Sequence, residues 1–164
     1  MEERKIREHY DALVKELIAR GCTVSTMESA TAGQIASLLT DTPGASAIFF
    51  GGRITYCNEE KVKAGVPREL IDTYSVYSKE CALAMAEAAK DLYHTDLAIG
   101  VTGTMANVDP MNASASTPGR VYLGVVLGER KEAYVLTLPA LESRLSYKLA
   151  VAEELYEILR KDWM

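Results

Sequence analysis

Apolar residues recur at intervals of three and four positions in three long stretches of the chain, and this spacing predicts amphipathic helices. The first helix is predicted from about residue 4 to Gly21, which suits a left-handed helix end. The second is predicted to begin at Ser78 and the third near Glu142. The apolar stripes are Ile6, Tyr10, Leu13, Val14, Leu17 and Ile18; Cys81, Met85, Ala88, Ala89 and Leu92; and Leu145, Leu149, Ala152, Tyr156 and Leu159.

Runs rich in apolar and β-branched residues separate these helices and predict strands. They cover residues 22–27, 47–56, 96–101, 121–127 and 133–138. Gly51 and Gly52 predict a bulge or a break within the second run, and the last two runs predict a hairpin. Strands that alternate with helices predict an α/β fold, here a single three-layer α/β/α domain over residues 1–164 with a mixed sheet.

Local signals predict three shorter helices. Thr31 and Gln34 have the spacing of a capping box, so a helix is predicted to begin there. Asn58 is predicted to cap a helix over residues 59–64. A further short helix is predicted to begin at Pro67, because the fixed backbone angle of proline suits a first helical turn.

The composition is that of a soluble globular protein, with 48% hydrophobic and 25% charged residues. A formal net charge of -5 argues against a broad surface for nucleic acid or for anionic membranes. The cysteines, Cys22, Cys57 and Cys81, match no zinc-ligand spacing, so no metal site is expected. We expect a cytoplasmic protein, because no apolar run approaches the roughly 20 residues of a membrane span and the amphipathic N-terminal segment is unlike a signal peptide.

The turn after the first predicted strand is the first candidate site, because ligands of open α/β sheets bind beyond the carboxyl ends of strands. Ser29 and Thr31 supply hydroxyl groups there, and Gly33 permits close approach of a ligand. The start of the next helix offers free backbone N–H groups. An ordinary capped helix is the alternative interpretation, and the glycine fingerprints of dinucleotide and triphosphate sites are missing.

Ser46 and Lys61 are candidates for nucleophilic chemistry. Ser46 lies in a predicted tight turn, and it needs a base within hydrogen-bonding distance to act as a nucleophile. Lys61 falls in the first turn of the helix predicted after Asn58, where the helix dipole lowers the pKa of an amine. The dipole supplies at most about 1 kcal/mol, so burial has to supply the rest of the shift that a general base needs. The alternatives are a serine that caps the turn and a solvated surface lysine.

Arg144 opens the last predicted helix, and Lys148 follows one turn later on the same face. Two cations on one helical face suit a phosphate group. They equally suit ion pairs with neighbouring acids, so both interpretations stay open on this segment alone.

Together these segments resemble the CinA C-terminal domain family, whose bacterial members include nicotinamide mononucleotide deamidases. The family pattern E-S-C-T-G-G corresponds to residues 28–33, and G-[AS]-S corresponds to residues 44–46. The pattern G-x-x-x-Y-x-N-x-x-K corresponds to residues 52–61. Further matches are G-V-P at residues 65–67, V-S-x-E-x-A-x-x-M-A around residues 76–86, and T-G at residues 102–103. The likeness covers about residues 5 to 160 in order.

The resemblance implies hydrolysis of nicotinamide mononucleotide to nicotinic acid mononucleotide and ammonia, without a metal or a cofactor. It implies that Ser46 is the nucleophile and Lys61 its base, with Ser29 as the competing nucleophile. Tyr56 is expected to assist proton transfer or to position the substrate. The residues expected to bind the substrate are Ser29, Thr31, Gly33, Thr102, Gly103 and, at the phosphate, Arg144. Family members commonly self-associate, so a homodimer is expected.

The chain departs from the family pattern at the turn after the first strand and in one loop. Ala30 and Ala32 replace a cysteine and a glycine. The glycine-rich family loop T-G-[IS]-A-G-P-x-G-G corresponds to residues 102–110 and opens a polar segment that runs to residue 119. Its polar residues are expected either to recognise a different ribose or base or to build turns; they include Asn107, Asp109 and Asn112.

Three functions therefore remain open from the sequence. The first is an amidase for nicotinamide mononucleotide, which the Ser46, Tyr56 and Lys61 set favours. The second is an amidase for another small nucleotide or amide, selected by the altered loop. The third is a non-catalytic module that binds a small ligand or a partner.

Overall fold

The computed structural model describes residues 2–164. Its helices are α1 (Glu3–Arg20), α2 (Gln34–Leu39), α3 (Asn58–Lys63), α4 (Arg68–Tyr74), α5 (Lys79–Tyr93) and α6 (Arg144–Ile158). Its strands are β1 (Val24–Glu28), β2 (Phe49–Ile54), β3 (Leu97–Gly103), β4 (Arg120–Leu127) and β5 (Arg130–Thr137). Short 3-10 helices cover Ala45–Ala47 and Pro110–Ala115, and a π-helical turn, Leu159–Trp163, continues α6.

The strands form a five-stranded mixed sheet in the order β2-β1-β3-β4-β5. β1 pairs in parallel with both β2 and β3, whereas β4 pairs antiparallel with β3 and with β5. Val24 pairs with Phe49 and Ser25 pairs with Gly51, so Phe50 is an extra residue that interrupts the β2 register. The carboxyl ends of β1, β2 and β3 consequently meet at one edge of the sheet.

Two layers of helices cover the sheet. On one face, α1, α2 and α6 bury aliphatic side chains against β1, β3 and β4. On the other face, the alanine-rich side of α5 packs close to the strand backbone, with α3 and α4 beside it. Gly100 and Gly124 permit that approach, because a Cβ atom at either position would lie within 2.3 Å of the Ala82 carbonyl oxygen. No helix within residues 2–164 has both the length and the apolar character that crossing a bilayer requires.

The predicted three-layer α/β fold with a mixed sheet is confirmed. The predicted end of α1 at Gly21 and the predicted start of α5 at Ser78 are also confirmed. Gly21 adopts a left-handed conformation, and the Ser78 hydroxyl accepts a hydrogen bond from the Cys81 N–H. Two predicted caps are wrong. Thr31 donates its hydroxyl to the Glu28 carboxylate instead of capping α2, and Asn58 is the first residue of α3 and not its cap.

Candidate active site

A cleft of about 770 Å³ opens at the carboxyl ends of the three parallel strands. α2 covers one face of the sheet beside β1, and α5 covers the other, so the crevice lies where the chain connections leave in opposite directions. Its lining includes Ser29 and Ala30 after β1, residues 56–59 and Lys61 after β2, Tyr77 before α5, and Arg144 at the start of α6. From the third strand come Gly103 at its end and residues 104–105 and 107–112 after it.

A buried lysine lies against a serine at the base of this cleft. Lys61 Nζ is 3.1 Å from Ser29 Oγ and 2.9 Å from the Thr55 carbonyl oxygen. The Lys61 side chain is 2% exposed and that of Ser29 is 6% exposed. An amine and an alcohol that are shielded from water at hydrogen-bonding distance have the arrangement of a nucleophile with its general base.

Burial lowers the pKa of Lys61, because removal of water disfavours the ammonium form. The nearby thiols of Cys81 and Cys57 and the Asp109 carboxylate act in the opposite direction but do not cancel this effect. Lys61 lies in the last turn of the short helix α3, not in its first turn as predicted. Burial therefore lowers the pKa, as the sequence argument required, but the expected contribution of the helix dipole is wrong because Lys61 is not in the first turn.

Glu28 holds the turn that carries Ser29. Its carboxylate is 1% exposed and accepts hydrogen bonds from the Thr31 hydroxyl (2.7 Å) and from the N–H groups of Ile35 (2.9 Å) and Ala36 (3.0 Å). These contacts connect the end of β1 to the first turn of α2. Between the two elements, Ala32 has a φ of 47°, a left-handed conformation that favours glycine. The turn therefore has a fixed shape that directs Ser29 towards Lys61.

Tyr56 and Arg144 meet at the open side of the cleft. An Arg144 guanidinium nitrogen donates to the Tyr56 hydroxyl at 3.2 Å, and Tyr56 is 61% exposed. Arg144 forms no salt bridge with an acid among residues 2–164. Its charge therefore remains available to an anionic group that enters the cleft.

The loop after β3 is fixed by a network of side chains. Asn58 and Asn112 exchange a pair of amide hydrogen bonds of 3.0 and 3.1 Å, which joins the loop to α3. Asn112 also donates to Asp109 at 2.9 Å, and Tyr77 donates to the same carboxylate oxygen at 2.5 Å. The loop after β3, which lines the cleft, is therefore held to the helix that carries Lys61.

The structure does not bring Ser46 to Lys61, and the expectation that these two residues form the pair is wrong. Ser46 is exposed in the Ala45–Ala47 turn, which precedes β2, whereas Lys61 follows the carboxyl end of β2. A six-residue strand spans about 20 Å, so the two residues lie at opposite edges of the sheet. Ser29, the competing candidate, occupies the position beside the amine.

Three other residues expected to bind the substrate do not line the cleft. The Thr102 hydroxyl donates to the Val76 carbonyl oxygen at 2.8 Å, and Thr31 bonds to Glu28, so both are engaged inside the protein. Gly33 caps α2 and faces the side chain of Ile54. Of the expected set, Ser29, Tyr56, Lys61, Gly103 and Arg144 do line the cleft.

The contributions of Glu28 and Tyr77 were not predicted from the sequence. A glutamate at the end of a strand whose residues are all buried is itself a signal, because a buried carboxylate needs several donors. Tyr77 carried no comparable signal, since its partner Asp109 lies 32 residues away in an irregular loop. Potential metal ligands group elsewhere: among the described residues, His9, Glu153 and Glu157 lie within 4.8 Å of one another between α1 and α6, outside the cleft.

Comparisons with known proteins agree on one family. A family model described as the CinA C-terminal domain matches residues 6–162. A CinA-like protein of Leptospira borgpetersenii is 38% identical over 128 residues, which cover 75% of this chain and 29% of that protein. The chain spans about a third of the length of the curated relatives that it matches.

Solved structures have the same fold. The competence/damage inducible protein CihA from Agrobacterium tumefaciens has a TM-score of 0.84 and 28% identity, covering 94% of this chain and 93% of that chain. A CinA superfamily protein from Escherichia coli has a TM-score of 0.85 at 21% identity, covering 98% of this chain and 92% of that chain, and this second likeness shows the fold alone. Because the family model matches most of its length, this chain belongs to the CinA C-terminal domain family.

Proposed function

We propose that this domain is a metal-independent amidohydrolase that converts nicotinamide mononucleotide to nicotinic acid mononucleotide and ammonia. Ser29 acts as the nucleophile and Lys61 as its base. The observation that carries the proposal is the buried Lys61 amine at 3.1 Å from Ser29 Oγ, inside a cleft large enough for a mononucleotide. The substrate follows from the resemblance to nicotinamide mononucleotide deamidases of the same family.

The Thr55 carbonyl group orients the amine. A neutral amine has two N–H donors and one lone pair, and the Thr55 oxygen at 2.9 Å takes one donor. The lone pair of Lys61 is then free to accept the Ser29 hydroxyl proton. In the ammonium form the same 3.1 Å contact runs in the reverse direction, with Lys61 donating to Ser29. Only the neutral form of Lys61 therefore activates the serine.

The reaction proceeds in two stages. Ser29 Oγ attacks the carboxamide carbon while Lys61 takes the hydroxyl proton, and the proton then passes to nitrogen as the C–N bond breaks and ammonia leaves. Water next attacks the acyl ester, with Lys61 accepting its proton and returning it to Ser29 Oγ as the acid is released. The sum is one amide and one water converted to one carboxylic acid and one ammonia.

The backbone N–H of Ala30 is a candidate donor to the developing oxyanion. Ala30 follows the nucleophile and lines the cleft, and its N–H makes no hydrogen bond with another described residue. A fixed N–H group that faces the position of negative charge in the transition state is worth roughly 3 kcal/mol in comparable sites. The substitution of alanine for the family's usual cysteine leaves this backbone donor in place.

Arg144 is the candidate group for the phosphate of the nucleotide. Its guanidinium has no acidic partner among residues 2–164, and its contact with Tyr56 holds it at the cleft. A planar fork of donors suits a phosphate, which can accept two hydrogen bonds from one arginine. The phosphate at Arg144 and the carboxamide at Ser29 together orient the substrate.

Ammonia release from nicotinamide mononucleotide by purified protein tests the proposal. Wild-type protein is expected to release ammonia, and Ser29→Ala protein that still binds the nucleotide is expected to release none above background. The absence of ammonia at micromolar wild-type enzyme, with binding of the nucleotide intact, would reject the activity. Residues 104–119 depart from the family pattern, which motivates a second candidate function, an amidase for another small nucleotide or amide. Faster turnover of another small amide in a panel of carboxamides would favour that second function.

A further inference from the structure

Asp109 is a carboxylate in the cleft that lacks a cationic partner. The acids of the cleft lining are Glu59 and Asp109. Glu59 accepts two hydrogen bonds from Arg68, of 2.8 and 2.9 Å, and thereby has a cationic partner. Asp109 has no salt bridge within residues 2–164, and its hydrogen-bond donors are the neutral groups of Tyr77, Asn112 and the Met111 N–H.

The environment of Asp109 keeps it ionised. Burial acts to raise the pKa of Asp109, but the hydrogen bonds from Asn112, Tyr77 and Met111, with a smaller contribution from the charge of nearby Lys61, outweigh burial and leave the pKa below its ordinary value. The carboxylate is therefore charged at every pH at which Lys61 can act as a base. A charge that the fold leaves without a protein counter-ion in a ligand cleft is free to complement a charge on the ligand.

The hydrogen bonds of Asp109 leave little room for a directional contact with a ligand. A carboxylate offers about four lone-pair positions, and Tyr77, Asn112 and Met111 already occupy three. A ribose diol needs two acceptor positions on one carboxylate, so it is a poor match for the single position that remains. A delocalised positive charge needs no lone pair, because its attraction to the carboxylate is electrostatic and not directional.

Aromatic rings in the same cleft suit a flat cation. Tyr77, which donates to Asp109 at 2.5 Å, and Tyr56 both line the cleft. The face of a tyrosine ring attracts a cation through its quadrupole and also packs against a flat ring. Asp109 and Lys61 also lie close enough for each charge to influence the other, so a ring beside Asp109 places its carboxamide near the amine.

We infer that Asp109 is a specificity-determining residue, which selects substrates whose carboxamide is attached to a positively charged aromatic ring. This inference rests on the proposed amidase function and adds to it the residue that selects for the charge of the substrate ring. The site takes a pyridinium carboxamide, with the ring cation facing Asp109 and an anionic group facing Arg144. Neutral rings of the same shape are selected against, because they leave the Asp109 carboxylate partly desolvated without a counter-charge.

The test compares ligands that carry the same substituents on a cationic and on a neutral ring. Nicotinamide mononucleotide and its reduced dihydropyridine form share the phosphate, the ribose and the carboxamide. Binding of both is measured by calorimetry to Ser29→Ala protein, which cannot turn over the ligand. Adding Asp109→Asn is expected to weaken binding of the cationic nucleotide roughly tenfold and to change binding of the reduced form by less than about twofold.

Matched variants separate charge from shape. Asp109→Glu keeps the charge and is expected to keep most of the preference for the cationic ring. Glu59→Gln removes the lining acid that already pairs with Arg68 and is expected to leave the preference unchanged. Thermal unfolding of each variant checks that the fold is intact. Equal weakening of both nucleotides by Asp109→Asn would overturn the inference, because Asp109 would then only shape the cleft.

A second ligand pair separates this inference from the proposed function. N1-methylnicotinamide is a cation and nicotinamide is neutral, and neither carries a phosphate. A preference for the cation that Asp109→Asn abolishes supports the inference even if the wild-type protein releases no ammonia from nicotinamide mononucleotide. Ammonia release without any preference that depends on Asp109 in either pair supports the amidase function and contradicts the inference.

Discussion

Lys61 Nζ lies 3.1 Å from Ser29 Oγ, although the two residues are 32 positions apart and belong to different connections of the sheet. The contact forms because β1 and β2 are parallel neighbours, so the segments that follow them emerge side by side. The amine is buried and the chain around Ser29 is held in a fixed conformation, so these two neighbouring residues form a candidate catalytic pair.

The first prediction concerns the identity of the nucleophile. Ser29→Ala and Lys61→Ala are each expected to reduce kcat for ammonia release by roughly 10³-fold or more, because each removes one member of the pair. Ser46→Ala is the matched control, and its kcat is expected to stay within about twofold of wild type because the residue is exposed at the opposite edge of the sheet. A large loss of kcat in Ser46→Ala with normal folding would contradict the assignment.

The second prediction concerns the dependence of the rate on pH. Lys61 must be neutral to accept the Ser29 proton, so kcat/KM is expected to rise with pH and to level off above the Lys61 pKa. Burial lowers that pKa, so the midpoint is expected below the value of about 10.4 for free lysine. A rate that keeps rising up to pH 10.5 would show that the amine is solvated.

The third prediction concerns stability. The pKa of Lys61 is lower in the folded than in the unfolded protein, so between the two values the unfolded protein binds more protons. The contribution of Lys61 to the free energy of unfolding therefore rises with pH across that window and is least favourable below the folded pKa. Denaturant titrations of wild type and Lys61→Met are expected to differ by an amount that shifts in favour of wild type as the pH rises towards the ordinary lysine pKa of about 10.4. A difference that does not vary with pH would be inconsistent with a buried, shifted amine.

The fourth prediction concerns Glu28 as the residue that positions the turn. Glu28→Gln replaces one acceptor oxygen with an NH₂ group, which faces the N–H donors of Ile35 or Ala36 or the hydroxyl of Thr31. The free energy of unfolding is expected to fall by about 2–4 kcal/mol, and kcat is expected to fall more than KM rises. Glu60→Gln, at an exposed position of α3, serves as the control and is expected to change neither quantity appreciably. An unchanged free energy of unfolding in Glu28→Gln would show that Glu28 does not position the turn.

The fifth prediction concerns the left-handed alanine. Ala32 has a φ of 47°, so Ala32→Gly relieves local strain and is expected to raise the free energy of unfolding by roughly 0.5–1 kcal/mol. Ala36→Gly, within α2, is expected to lower it by about 1 kcal/mol because the backbone there is helical. Chemical denaturation measures both changes, and a loss of stability in Ala32→Gly would mean that the turn relaxes in solution.

The layers of the fold were predictable because helix and strand periodicities are properties of neighbouring residues. The ends at Gly21 and Ser78 depend on their own backbone and side chain, and both were placed correctly. The cap at Thr31 was wrong because the buried Glu28 carboxylate takes the threonine hydroxyl, a contact that a spacing rule does not describe. The homodimer that the resemblance implies stays a prediction.

The candidate site was harder to predict. Strand direction decides whether a turn lies at the amino or the carboxyl ends of the parallel strands. Ser46 and Ser29 both lie in turns beside parallel strands, but one turn precedes its strand and the other follows it. The lowered pKa of Lys61 was expected from a helix dipole together with burial; burial is its main cause, and Lys61 does not lie in the first helical turn where the dipole was expected to act. Asp109 could be recognised from the sequence as a polar residue of the altered loop. Only the folded structure shows that Arg68 pairs with Glu59, the other acid of the cleft, and that Asp109 has no salt bridge within residues 2–164.

Mapping the acyl intermediate tests the Ser29–Lys61 pair most directly. A single-turnover reaction with nicotinamide mononucleotide is quenched in acid, digested with protease and analysed by mass spectrometry. We expect a nicotinate-nucleotide acyl group on the peptide that contains Ser29, and we expect its loss in Lys61→Ala. An acyl group on the Ser46 peptide, or undiminished ammonia release by Ser29→Ala, would contradict this expectation.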